Sequence, residues 1–129
     1  CVSCFTQHFT EGHGYNADLA TLGRYYHGYS DMMVHWDRML PGRIYHCRYE
    51  DMVNDQRASS QALLDWLGLA WDESCLAFHK TERLVHTPSR WQIRQPIYKS
   101  SLRRWEKFVH HLAPLREALG PLAPRDWPR

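Results

Sequence analysis

Several familiar signatures are missing from this chain, and each absence excludes a class of function. There is no glycine-rich phosphate loop, no G-x-S-x-G nucleophile elbow and no H-E-x-x-H, so the short motifs of nucleotidases, hydrolases and zinc proteases do not occur. No apolar run approaches the roughly 20 residues that would span a bilayer, and the first residues lack the basic-then-apolar layout of a signal peptide. The four cysteines, Cys1, Cys4, Cys47 and Cys75, are too unevenly spaced for the disulfide framework of a small secreted fold. They point to a soluble protein of a reducing, cytoplasmic compartment. Cys1-x-x-Cys4 has no second clear pair to complete a tetrahedral zinc site, so no metal is expected.

Net charge is also nearly absent. A formal charge of +2 over 129 residues is too small for general nucleic-acid binding. The local imbalance is larger. Arg83, Arg90, Arg94, Lys99, Arg103, Arg104 and Lys107 fall in one stretch whose acidic content is Glu106 alone. Such a stretch suits a small anion, or else it is a solvated basic face. Hydrophobic residues make up 43% of the chain and aromatic residues 13%, enough for one globular domain.

Apolar residues at Leu19, Leu22, Tyr26, Tyr29, Met33, Trp36 and Leu40 alternate spacings of three and four, the stripe of an amphipathic helix. The helix is predicted over about 16–40, capped by Asn16 and ended by Pro41-Gly42. It can be an internal core element or a dimer seam. Arg43 to Tyr49 is short, aromatic and β-branched, and reads as a strand. A lone strand implies partner strands, and with Cys rather than Met as first residue this points to further sequence upstream. Asn54 or Asp55 caps a helix through Leu67 that buries Ala58, Leu63, Leu64 and Leu67 and stops at Gly68. Asp72 caps a shorter helix with Cys75, Leu76 and His79 inward. Residues 80–96 read as a long loop, and a last amphipathic helix from about Ser100 carries Leu102, Trp105, Phe108, Val109 and Leu112 on one side. Ala113 to Leu119 forms a further short helix, and an irregular tail starts at Pro121.

Three segments in order carry a family resemblance: Cys1-Val2-Ser3-Cys4-Phe5, Tyr49-Glu50-Asp51-Met52, and Gln92-Ile93-Arg94-Gln95-Pro96-Ile97-Tyr98-Lys99-Ser100-Ser101-Leu102-Arg103-Arg104-Trp105. Together they resemble the C-terminal part of a sulfotransferase, of the bacterial type associated with tetratricopeptide repeats, with a weaker likeness to tyrosylprotein sulfotransferases. The resemblance covers Cys1 to about Leu119. It implies an α/β, P-loop-NTPase-like fold, of which this chain is the mostly helical C-terminal part with one clear strand. Residues 1–120 form that portion and 121–129 a proline-rich tail.

The implied reaction transfers a sulfuryl group from 3′-phosphoadenylyl sulfate to an acceptor hydroxyl or amine, leaving adenosine 3′,5′-bisphosphate. The implied nucleotide-binding residues are Ser3, Tyr49, Thr87, Ser89, Arg94 and Lys99. Ser3 matches the family serine that grips the 3′-phosphate; on its own it is an ordinary polar residue. Tyr49 would line the nucleotide site at the end of the strand, or else it is a core tyrosine beside the acid Glu50. Thr87, Ser89 and Arg94 match hydroxyls and a basic side chain of a loop that folds over the nucleotide, although tyrosylprotein sulfotransferases place a lysine directly before the proline, where this chain has Gln95. Trp91 packs on adenine or covers apolar surface. The resemblance places the phosphosulfate loop and the acid/base residue upstream of Cys1, so no catalytic residue is assigned here and the isolated chain is expected to be inactive. The implied partners are a small-molecule or peptide acceptor and an N-terminal half or a second copy of the chain, with neither nucleic acid nor membrane. The alternatives are a helical protein-binding or assembly module without catalysis, and a kinase-like nucleotide-binding fold with another donor.

Overall fold

The computed structural model describes residues 1–7, 13–80 and 92–127. Its α-helices are α1 (Val2–Phe5), α2 (Leu19–Met39), α3 (Tyr49–Asn54), α4 (Gln56–Leu67) and α5 (Ala113–Leu119), joined by 3-10 segments. Among the described residues there is no strand, which corrects the expected α/β, P-loop-like class. Residues 43–48 lie outside any helix, and Arg48 is extended, with φ −80° and ψ 131°. A β-ladder exists only where a neighbouring strand accepts and donates its hydrogen bonds, and none lies among the described residues. Local composition therefore produces extended backbone without a sheet, and Tyr49 opens α3 instead of ending a strand.

The described residues group into two compact units, one of Cys1–Ile44 with Arg103–Arg129, the other of Tyr45–Leu102. The first is built on α2 packed against α5. Asp18, not Asn16, caps α2, accepting from the Thr21 N–H at 2.7 Å. Asn16 has another task. Its amide donates to the carbonyls of Cys4 and Gln7, each at 3.1 Å, and so satisfies the C-terminal end of α1. The core is Leu112, Leu115 and Leu119, with Cys1, Val2, Leu19, Trp105, Phe108, Ala123 and Trp127 packed around it. Burying each leucine stabilises by roughly 1.5–3 kcal/mol before entropy is subtracted.

Gly23 sets the distance between α2 and α5. A Cβ at that position would sit 2.6 Å from the Ala118 Cβ and 3.4 Å from the Leu115 carbonyl oxygen, so the close approach requires glycine. The expected helix from Ser100 is instead a turn followed by a 3-10 segment, Arg104–His111. The change follows from Arg103, the one non-glycine residue at positive φ among those described, at 53°. Its guanidinium pairs with Glu106 and with Asp126, which holds the left-handed turn and ties down the tail. The tail is further fixed by Trp127, 4.7 Å from Trp105 between ring centroids and covered by Arg116 at 5.9 Å.

In the second unit, α4 follows the expected bounds. Asp55 accepts from the Ala58 N–H at 3.0 Å, and Gly68 at φ +70° closes the helix while the Leu69 N–H donates to the Leu64 carbonyl. The expected burial is weaker than the pattern suggests: Ala58 and Leu67 are exposed, and Leu63 and Leu64 are half-buried. Val53 of α3 is the one fully buried residue among those described in this unit. Polar contacts supplement its thin core. Arg57 makes a bidentate pair with Glu73 at 2.9 and 2.8 Å and lies over the Trp71 ring at 5.1 Å, while Gln56 donates to the Cys75 carbonyl at 3.0 Å. The expected short helix after Asp72 is the 3-10 segment Glu73–Lys80, begun by Asp72 accepting from the Ser74 N–H at 2.8 Å.

Candidate functional site

Among the expected nucleotide-binding residues, Ser3 belongs to the first unit and Tyr49, Arg94 and Lys99 to the second. Thr87, Ser89 and Trp91 lie outside the described residues. Ser3 is exposed on α1, and its carbonyl accepts from the Thr6 hydroxyl at 3.3 Å. The helix is a single turn, so its dipole adds little and the side-chain hydroxyl is the group on offer.

Tyr49 is half exposed as the first residue of α3. Glu50 and Asp51 follow it in the first turn, where carboxylates favour the positive end of the helix. Their charge would repel a phosphate placed on that turn. Tyr49 is thus suited to packing or to a phenolic hydrogen bond, not to gripping an anion. Among the described residues Glu50 has no ion-pair partner.

Arg94 is half-buried at the end of the 3-10 turn Gln92–Arg94, which packs against Glu73–Lys80. His79 of that segment is half-buried, and its Nδ1 is buried without a hydrogen-bond partner among the described residues. Lys99 is exposed in the following turn, where its carbonyl accepts from the Leu102 N–H at 3.0 Å.

Arg57 and Trp71 hold the Glu73 carboxyl below the ordinary carboxylate range, and the Thr21 and Ser74 N–H groups and hydroxyls do the same for Asp18 and Asp72. Arg103 likewise lowers Asp126. These are exposed structural pairs and caps. The Arg57–Glu73–Trp71 cluster was not foreseen from the sequence, and only the place of Arg57 just inside a capped helix hints at it.

A family model described as "Sulfotransferase family" matches residues 1–73, which include Ser3, Tyr49 and the whole of α2. This chain belongs to the sulfotransferase family. The sulfotransferase chain is also 32% identical over 121 residues to an uncharacterized protein of Aquifex aeolicus (strain VF5), a match that takes in 92% of this chain and 16% of that protein. It thus spans about a sixth of the length of the curated relative it matches. No solved structure matches it.

Of the expected nucleotide-binding residues, Arg94 and Lys99 of the second unit carry the kind of charge that pairs with phosphate. No helix of the described sulfotransferase chain is long and apolar enough to cross a membrane.

Proposed function

We propose that this chain provides donor-nucleotide contacts for transfer of a sulfuryl group from 3′-phosphoadenylyl sulfate to an acceptor hydroxyl or amine. The observation that carries the reading is the family match over residues 1–73, with the basic, acid-poor segment that holds Arg94 and Lys99 lying beyond it. In the transfer, an acceptor oxygen or nitrogen forms a bond to sulfur while the bond from sulfur to the 5′-phosphate oxygen breaks, and the acceptor's proton passes to a base. Such reactions depend on in-line positioning and on cations near the leaving oxygen.

Within this reading, Ser3 donates to the 3′-phosphate, and Arg94 and Lys99 supply positive charge to the phosphates. Tyr49 lines the nucleotide, and Thr87 and Ser89 add hydroxyl donors. The base is not assigned to any residue of this chain. The acceptor is a small molecule or a peptide, and the four free thiols fit a cytoplasmic setting.

A second reading, a helical assembly module without catalysis, is favoured by the exposed aromatic and methionine residues of α2. One titration separates the two. Adenosine 3′,5′-bisphosphate is titrated calorimetrically into the chain and into the Ser3→Ala, Arg94→Ala double variant, with ATP as control. The donor-site reading expects bisphosphate binding that exceeds ATP binding and weakens at least tenfold in the variant. A folded chain that gives no heat overturns it in favour of the assembly module.

A further inference from the structure

Ser3 lies on α1, a helix of four residues closed by the Phe5 N–H on the Cys1 carbonyl at 2.9 Å and the Thr6 N–H on the Val2 carbonyl at 3.0 Å. One turn does not persist on its own hydrogen bonds, because helices below about 12–15 residues are marginal in water and draw their stability from tertiary contacts. The place of α1 is therefore fixed from outside it.

That support reaches both ends of the turn. At the N-terminal end, Cys1 and Val2 pack against the cluster of Leu112, Leu115 and Leu119. At the C-terminal end, the Asn16 side-chain amide donates to the carbonyls of Cys4 and Gln7, each at 3.1 Å. An amide nitrogen has two protons, and both are engaged on this one segment. Water would satisfy the exposed Gln7 carbonyl as well. What water would not do is hold the turn still, and Ser3 is bonded directly to Cys4 in the chain.

Asn16 is itself anchored. It ends the 3-10 turn Gly14–Asn16, where its own N–H donates to the His13 carbonyl at 3.0 Å. Tyr15 of that turn stacks on Tyr25 of α2, 3.9 Å between centroids and 4° between planes, and its hydroxyl meets His13 Nδ1 at 3.0 Å. Two residues after Asn16, Asp18 caps α2 through the Thr21 N–H at 2.7 Å. The turn is thus clamped to a 21-residue helix on both sides of Asn16. A run of fixed parts leads from α2 through Tyr15, Asn16 and Cys4 to Ser3.

A hydroxyl that donates to a phosphate must bring its oxygen to about 2.5–3.0 Å from the acceptor. A helical turn released at one end would not keep that distance. From these observations we infer that Asn16 is a positioning residue of the donor site: it acts on the 3′-phosphate through Ser3 and does not touch the nucleotide. The inference rests on the donor-site reading of Ser3.

Two readouts on the full 129-residue chain test it, one independent of nucleotide and one that uses it. The first is backbone 15N relaxation in the parent and in Asn16→Ala. Order parameters at Cys4, Phe5 and Thr6 should fall from the rigid range of about 0.85 to below about 0.6, with that of Leu22 in α2 unchanged. Rigid amides at those three positions in the variant overturn the inference. The second is calorimetric titration of adenosine 3′,5′-bisphosphate into the parent, Ser3→Ala, Asn16→Ala and the double variant. Asn16→Ala should weaken binding about fivefold, and the double variant should bind no more weakly than Ser3→Ala alone, because residues that act as one unit do not add. Additive losses overturn the inference, since Asn16 would then act independently of Ser3. So does unchanged binding in Asn16→Ala where Ser3→Ala weakens it, which leaves Asn16 a merely structural cap. A parent chain that binds no bisphosphate, or a Ser3→Ala variant of undiminished affinity, refutes the donor-site reading and the positioning role with it; relaxation then still reports whether Asn16 holds α1. Asn16→Leu, of similar size and without donors, repeats both readouts should the alanine variant not fold.

Discussion

The imidazole of His27 donates from Nε2 to the carbonyl oxygen of Leu119, 2.9 Å away and 92 residues further along the chain. Carbonyl oxygens only accept, so this contact requires a proton on Nε2. It satisfies the last carbonyl of α5, one of the groups a helix terminus leaves open. Replacing His27 with Ala should cost about 0.5–1.5 kcal/mol in urea unfolding. His27→Gln, which keeps a donor, should recover part of that loss.

Gly23 and Gly28 make a matched pair. Gly23→Ala forces a methyl group against Ala118, and overpacking of about 1–3 kcal/mol exceeds the ~1 kcal/mol gained in helix propensity. Nothing lies within 4 Å of a Cβ built at Gly28. Gly28→Ala should therefore raise stability by up to ~1 kcal/mol where Gly23→Ala lowers it. Thermal melts of the two variants check the opposite signs.

Acid should loosen the chain within a defined window. Asp18, Asp72, Glu73 and Asp126 all have folded-state pKa values below their ordinary values of 3.8 to 4.5. A lowered folded pKa means that the unfolded chain takes up protons first. The stabilisation is complete above the ordinary values and is lost as pH falls through the lower, folded ones. A pH series of melting temperatures should be flat with respect to these groups from pH 7 to about 5 and fall below about 4. Glu73→Gln and Asp126→Asn should make that decline shallower.

Arg103→Ala removes both partners of the tail clamp and leaves a β-carbon in the left-handed region. Limited proteolysis should then cut near residues 123–127 sooner than in the parent chain, with the leucine core intact by circular dichroism. Exposed pairs contribute little to global stability, so a large drop in melting temperature would contradict this local role.

Salt should distinguish phosphate contacts from adenine contacts at the proposed nucleotide site. Arg94→Ala should weaken adenosine 3′,5′-bisphosphate binding and flatten its dependence on sodium chloride, because one cation no longer meets a phosphate. Tyr49→Phe should weaken binding without changing the salt slope. Titrations at two salt concentrations measure both.

Legibility in the sequence varied with how local the deciding forces were. Asp55 and Gly68 bounded α4 because a cap and a left-handed stop act within a turn of backbone. Ala113 to Leu119 was readable for the same reason. The strand at 43–49 was misread because β-branched and aromatic content describes a side-chain preference, whereas a strand also needs a neighbour. Asn16 looked like the cap of α2, but its amide is engaged by α1, and Asp18 stands where the Thr21 N–H can reach it. The stripe from Leu19 to Leu40 was periodic as read, yet periodicity did not say which side met α5. Gly23 decided that through its missing side chain, which no hydrophobic pattern records. At the candidate site, residue types were legible, including the acids Glu50 and Asp51 beside Tyr49, while their place in the first turn of a helix and the packing of Arg94 came only from the fold.

The first unit is assembled from the two distant stretches that hold α2 and α5. Synthesis at roughly 5–20 residues per second means that α2 leaves the ribosome several seconds before the leucines of α5 exist. In that interval the apolar stripe of α2 is bare, whereas α3 and α4, adjacent in sequence, can close on each other at once. The vulnerable moment of this protein's birth is therefore the wait for Leu112, Leu115 and Leu119, and a stalled or shortened message would release a chain with its longest greasy helix unsheltered.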